Sequence, residues 1–150
     1  MKIKDVLASK SSSVVTVRPN KRVDKLPKLF DERNIASAVV VDALNRTLGI
    51  VTDRLFMKAL ARQGVTMLEC AVADIMESPA PSCSPEHTVQ DAMRLMTDLR
   101  VRHLVVRDNG KMLGIVSIGD LVKFRLEEAE MESRVLRELA LGHITAEAVE

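Results

Sequence analysis

Tryptophan and tyrosine are absent from this 150-residue chain and phenylalanine occurs three times, which leaves no aromatic platform for stacking nucleic-acid bases. An excess of charge is missing too: 22 basic against 21 acidic residues give a formal net charge of +1, so no long-range field draws the chain to a polyanion or an anionic membrane. Its two cysteines, Cys70 and Cys83, lack CxxC spacing, and reduced thiols are the default for so sparse a set. No apolar run approaches the ~18 residues of a membrane span, and the opening MKIKDVLASK lacks the apolar stretch of a secretory signal. A cytoplasmic protein without nucleic-acid or membrane partners is expected. There is no P-loop and no GxGxxG. His87, His103 and His143 fall on a helix start, a strand and a tail, without paired carboxylates or a nucleophile elbow. These absences speak against an enzyme, a bound metal or a required cofactor. Cys83, on a strand near a cleft, is a possible redox sensor, but nothing around it argues a lowered pKa and a small core residue is the simpler reading. The eight methionines are assigned to core faces.

What the chain does have is apolar content, 47%, enough for one compact domain with a respectable core. It also has a repeat. Gly114 to Asp120 reads GIVSIGD, and Gly49 to Leu55 reads GIVTDRL. Each is a β-branched strand closed by a hydroxyl residue, Ser117 or Thr52, where a helix N-cap belongs. Pro19 and Pro85, Val23 and Val89, Val39 and Val105, and Asp42 and Asp108 all stand 66 apart, and the offset drops to 65 after the hairpin. A single deletion in a turn is the kind a fold tolerates.

Element by element, strands are predicted over 14–17, 36–42 and 48–51, with a hairpin loop at 43–47 between the last two. A helix with Val23, Leu26, Leu29 and Phe30 on one face follows the first strand. Pro27 forces a late or distorted start near Asp24, and the end falls near Asn34. The next helix runs from Thr52 to about Gln63, with Gly64 as its cap. The second half repeats this order: a strand near Ser82 and Cys83, a helix from Thr88, strands over 101–107 and 112–116, and a long helix from Ser117 ending before Gly142. The expected organisation is a first repeat over about 1–64, a linker over 65–72, a second repeat over 73–128 and a helical tail over 129–150. This is an α+β fold of two β-α-β-β-α units, each too small to bury a core well alone, so the two should pack face to face around a pseudo-twofold cleft. The stripe of Leu126, Met131, Val135 and Leu139 outlasts the repeat and is assigned to a homodimer contact.

The paired GIV(T/S) junctions, the Asp74-Ile75-Met76 entry to the second copy, and RHLVV at Arg102 to Val106 resemble a tandem pair of CBS domains, the small-molecule-sensing modules named after cystathionine β-synthase. The resemblance covers roughly residues 1–128. It implies a flattened, often dimeric module that holds adenosine nucleotides such as AMP, ADP or ATP in its cleft as regulatory ligands. Gly114, followed by Ile115, would let a ligand approach the strand end. Ser117 offers a hydroxyl and helix N-terminal amides to a phosphate, and Asp120 can accept both vicinal hydroxyls of a ribose. The same two residues read equally as a capping box, and the two roles are compatible. By resemblance, Arg102 and His103 lie near the phosphate, and Ser82 and Cys83 border the base or ribose. A weaker second site would use Thr16, Val17, Ser37 and Thr52. There Leu55 stands where Asp120 stands in the second copy, and Asp53 lies on the wrong face to replace it, so unequal sites are expected. A scaffold with a vestigial cleft, or a sensor of NAD or S-adenosylmethionine, is the alternative.

Overall fold

The computed structural model describes residues 1–10 and 13–149, those from 143 onward as backbone alone; Ser11, Ser12 and the side chain of His143 lie outside the described residues. Two three-stranded sheets carry the repeat: β1 (Thr16–Val17), β2 (Ser37–Val41) and β3 (Thr47–Thr52) in one, β4 (Ser82–Cys83), β5 (His103–Asp108) and β6 (Lys111–Ser117) in the other. In each, the short first strand runs parallel to the second and the hairpin is antiparallel. The register repeats as well, since Val40 faces Gly49 as Val106 faces Gly114.

The helices form where caps and periodicity place them. In α2 (Leu26–Arg33) Pro27 sits in the first turn, so the segment opens as a 3₁₀ turn over Val23–Lys25 before becoming α-helical. Asn34, left-handed at φ 52°, ends it. In α3 (Asp53–Gln63) the Thr52 hydroxyl accepts from the Leu55 amide, and Gly64 at φ 70° closes the last turn. In α5 (Val89–Leu99) Thr88 takes the Asp91 amide in the same way.

Three features depart from the sequence reading. A helix precedes the first strand: α1 (Ile3–Ser9), whose partner in the repeat is α4 (Val72–Ile75). Each opens with an aspartate, Asp5 or Asp74, that accepts the N-cap amide at 3.0 or 2.9 Å. Secondly, Gly142 does not stop α6 (Ile118–Val149), because one glycine inside a helix costs only about 1 kcal/mol. Thirdly, not all methionines are core. Met67 and Met96 are buried, whereas Met1, Met57 and Met131 are exposed.

α1 and α4 cross over. Ile3 and Val6 pack with Val89, Met96, Leu104, Val116 and Leu121 of the second repeat. Val72 and Ile75 pack with Val23, Leu26, Ala38 and Val51 of the first. The crossings are sealed by matched backbone bonds, Val72 N–H to Lys21 O and Ile3 N–H to His87 O, both 2.8 Å. A third cluster, Val39, Val41, Ile50, Ala80 and Val105, joins the two sheets. Burying such side chains is worth about 1.5–3 kcal/mol each, and the crossing makes each repeat's burial depend on the other's.

Candidate functional site

The β6–α6 junction holds its two polar residues in a closed ring. Asp120 Oδ2 accepts the Ser117 amide at 2.9 Å and the Asp120 amide donates to Ser117 Oγ at 3.1 Å. The Ile118 amide donates to Arg102 O at 2.8 Å. Among the described residues the Gly119 amide, between them, has no acceptor. A free N–H at a helix N-terminus favours an anion.

This junction opens on a recess of about 550 Å³ walled by both repeats. The second contributes Arg102, His103, Gly114, Ile115, Ser117 and Asp120; the first contributes Val14, Val15 and Asn34 to Ser37; α1 contributes Leu7 and Lys10. Ser37, which the sequence reading gives to the weaker site, therefore lines the same recess as Asp120. Ser82, Cys83, Thr16 and Val17 line neither of the two cleft recesses. Cys83 and Val17 point into the two cores and Ser82 and Thr16 out to solvent. The strand-entry positions one or two residues earlier, Val14, Val15 and Pro81, are the ones that reach the recesses. A two-residue strand gives too short an alternation to reveal that from sequence.

A second recess, about 450 Å³, repeats the first with the halves exchanged. Ile50, Thr52 and Leu55 from the β3–α3 junction face Pro81 and Leu99 to His103. Arg102 and His103 thus border both recesses. Arg102 Nη2 reaches across to Asp53 Oδ1 at 3.0 Å, an ion pair between the repeats. His103 is 9% exposed, and burial, then the neighbouring Arg102, pushes its pKa below the ordinary 6.5, so the ring is neutral at pH 7.

Lys10 was not legible as a site residue. Its Nζ lies 2.7 Å from Asp120 Oδ2 and 2.9 Å from Ile115 O, in a pair whose side chains are only 23% and 26% exposed. Burial pushes the Asp120 carboxyl upward, but the Lys10 ammonium and the Ser117 donors outweigh it and hold the group below its usual 3.8. Asp120 is ionised at pH 7 and already ion-paired with Lys10. The pair spans 110 positions, and no local pattern signals such a contact. Gly114 lines the recess and has a second role: a Cβ there would meet Leu7 Cδ2 at 2.9 Å, so its missing side chain also makes room for α1.

The sequence matches the CBS domain family twice, over residues 3–62 and 72–127. The chain belongs to the CBS domain family. This CBS pair is 34% identical over 149 residues to the mitochondrial CBS domain-containing protein CBSX3 of Arabidopsis thaliana, covering 93% of this chain and 72% of that one. A CBS-domain-containing protein of known structure from Agrobacterium tumefaciens superposes with a TM-score of 0.79 at 38% identity, over 83% of this chain and 92% of that one. A CBS domain protein from Pyrobaculum aerophilum, solved in complex with AMP, shares the fold with a TM-score of 0.69 at 21% identity, over 80% and 89% of the two chains. Among the described residues of this CBS pair no helix is long and apolar enough to cross a membrane.

Proposed function

We propose that the first recess binds an adenosine-containing nucleotide, AMP, ADP or ATP, and that the CBS pair acts as a cytoplasmic, non-catalytic sensor that signals occupancy to a partner protein. The observation that carries this reading is the Ser117–Asp120 ring opening on a recess that both repeats wall. A ligand there contacts both halves and so biases their relation. Asp120 supplies a carboxylate for the ribose hydroxyls, the Gly119 amide and the Ser117 hydroxyl face a phosphate, Arg102 adds charge, and Val14, Val15 and Ile35 give a base apolar walls. The AMP complex of the P. aerophilum relative supports the ligand class.

Lys10 gives the sensor a resting state. Lys10 and the Ser117 amide both bond Asp120 Oδ2, so a ribose that engages both carboxylate oxygens displaces the ammonium from Oδ2, breaking a charged hydrogen bond worth about 1.5–3 kcal/mol, and the released lysine is then within reach of the ligand's phosphate. Ligand binding is in this way tied to the end of α1, which is built into the second core.

The exposed stripe on α6, Leu126, Met131, Val135 and Leu139, at 45–66% exposure, supports a homodimer as the sensing unit. The test of the ligand is a melting-temperature series of the purified chain with adenosine, AMP, ADP, ATP, NAD and S-adenosylmethionine. A ligand at about 100 times its Kd adds ~2.7 kcal/mol, a rise of several degrees at this size. Asp120→Ala should remove the rise. No rise with any of the six would leave the module as a scaffold; a rise with NAD or S-adenosylmethionine alone would reassign the ligand.

A further inference from the structure

The second recess is not a weakened copy of the first, because its chemistry points to another ligand. Leu55 takes the place of the ribose-binding carboxylate, and the amides at the start of α3 are already used. Asp53 N–H donates to Ala36 O, Arg54 N–H to Asp53 Oδ1 and Leu55 N–H to Thr52 Oγ1. Neither the diol anchor nor the free helix-end donor of the first recess is present. What converges instead is positive charge. Arg54 and Lys58 lie one turn apart on α3, while Arg100 and Arg102 flank the corner between α5 and β5, and all four line the recess. The one carboxylate on its wall is Glu77.

The four cations are held in different ways. Arg54 donates through Nη1 to the Arg100 carbonyl, which ties the start of α3 to that corner. Arg102 is fixed by Asp53. The side chains of Lys58 and Arg100 make no hydrogen bond or ion pair to the described residues. Arg100 is set at φ 56° as the left-handed cap of α5 and lines the recess. Like charges gathered in a concave site raise the local concentration of anions, and guanidinium groups match phosphate oxygens in pairs.

We propose that the second recess is a phosphate site without a ribose requirement, taking a polyphosphate or phosphorylated ligand through Lys58 and Arg100, with Arg54 and Arg102 behind them. Because Arg102 also borders the first recess, an anion here acts on the wall the two sites share. The site stands independently of the nucleotide reading, and its test keeps them apart.

Inorganic tripolyphosphate, which has no ribose or base, is titrated calorimetrically into the full chain at low salt. Wild type should bind it. Lys58→Gln with Arg100→Asn should weaken binding at least tenfold, asparagine being at ease in the left-handed conformation, whereas Lys28→Gln with Arg33→Gln, an equal loss of charge on α2, should leave it unchanged. Leu55→Asp, which puts a carboxylate into the recess, should weaken tripolyphosphate by a similar factor. Circular dichroism confirms that each variant is folded, and Leu55→Asp reads the site should the double variant not fold. Absence of binding by wild type, or equal weakening by the two double variants, would overturn the proposal. Failure of adenosine to bind the first recess would not touch it.

Discussion

Gly49 and Gly114 occupy the same place in the two repeats, yet alanine at the two positions should have unequal effects. A Cβ on Gly49 would lie 2.4 Å from the Glu77 carbonyl oxygen, 3.2 Å from its carbon and 3.3 Å from Met76 Sδ. Backbone cannot rotate away as a side chain can. Relief requires the 76–77 segment to leave Ile50, whose amide donates to Glu77 O at 3.0 Å and whose carbonyl accepts from Glu77 N–H at 2.9 Å. Two such bonds are worth about 1–3 kcal/mol together, and Ile50 is 1% exposed, so its freed groups gain little from water. A loss of about 2–3 kcal/mol is expected, which at this size lowers Tm by roughly 5–10 °C. Gly114→Ala meets only the tip of Leu7, a side chain that can turn. Its cost is offset by the ~0.4–1 kcal/mol that alanine gains by restricting the unfolded chain, so Gly114→Ala should melt within about 3 °C of wild type. Scanning calorimetry of both variants decides the matter. Equal losses, or a Gly49→Ala protein as stable as wild type, would refute the argument that Gly49 is required by the Ile50–Glu77 pairing.

Removing the resting-state lysine separates its two roles: Lys10→Ala should strengthen adenosine binding, which no longer competes for Asp120, and narrow the preference for AMP over adenosine about tenfold, as expected for one charged phosphate contact; calorimetric Kd values for both ligands check this. Stability should fall as pH drops below about 6.5, where the unfolded His103 takes a proton that the buried ring, with its lowered pKa, resists. Tm measured from pH 7.5 to 5 should show this slope, and His103→Asn should flatten it. Burial raises the Cys83 thiol to about 11, so a thiol reagent at pH 7.5 should modify the half-buried Cys70 first and Cys83 only on unfolding, as mass spectrometry of the labelled peptides would show. Truncation after Glu128 should shift the sedimentation coefficient toward monomer; an unchanged profile would place the α6 stripe outside the dimer.

Much of the secondary structure was legible because its determinants are local. The Pro27 distortion, the Thr52, Thr88 and Ser117 caps, the Asn34 and Gly64 stops and the two hairpins each follow from a few adjacent residues. α1 was legible in principle, since Lys2 to Leu7 repeats the pattern of Ala71 to Met76, but at an offset of 69 rather than 66. The shift hides the copy from a search at one period.

The chain by itself thus determined two α+β repeats, the cap at Ser117 and Asp120, and the presence of Leu55 where the second repeat has Asp120. Only the tertiary structure decided which halves meet: that α1 completes the second core and α4 the first, that Ser37 faces Asp120, and that Arg102 stands between two recesses. It alone set Lys10 on Asp120 and gathered Lys58 with Arg100. The reason is physical. Capping and periodicity act over three or four residues and leave their mark in the order of the chain, whereas burial and charge pairing depend only on proximity in space, and the crossing of the two helices brings together residues that no local pattern relates.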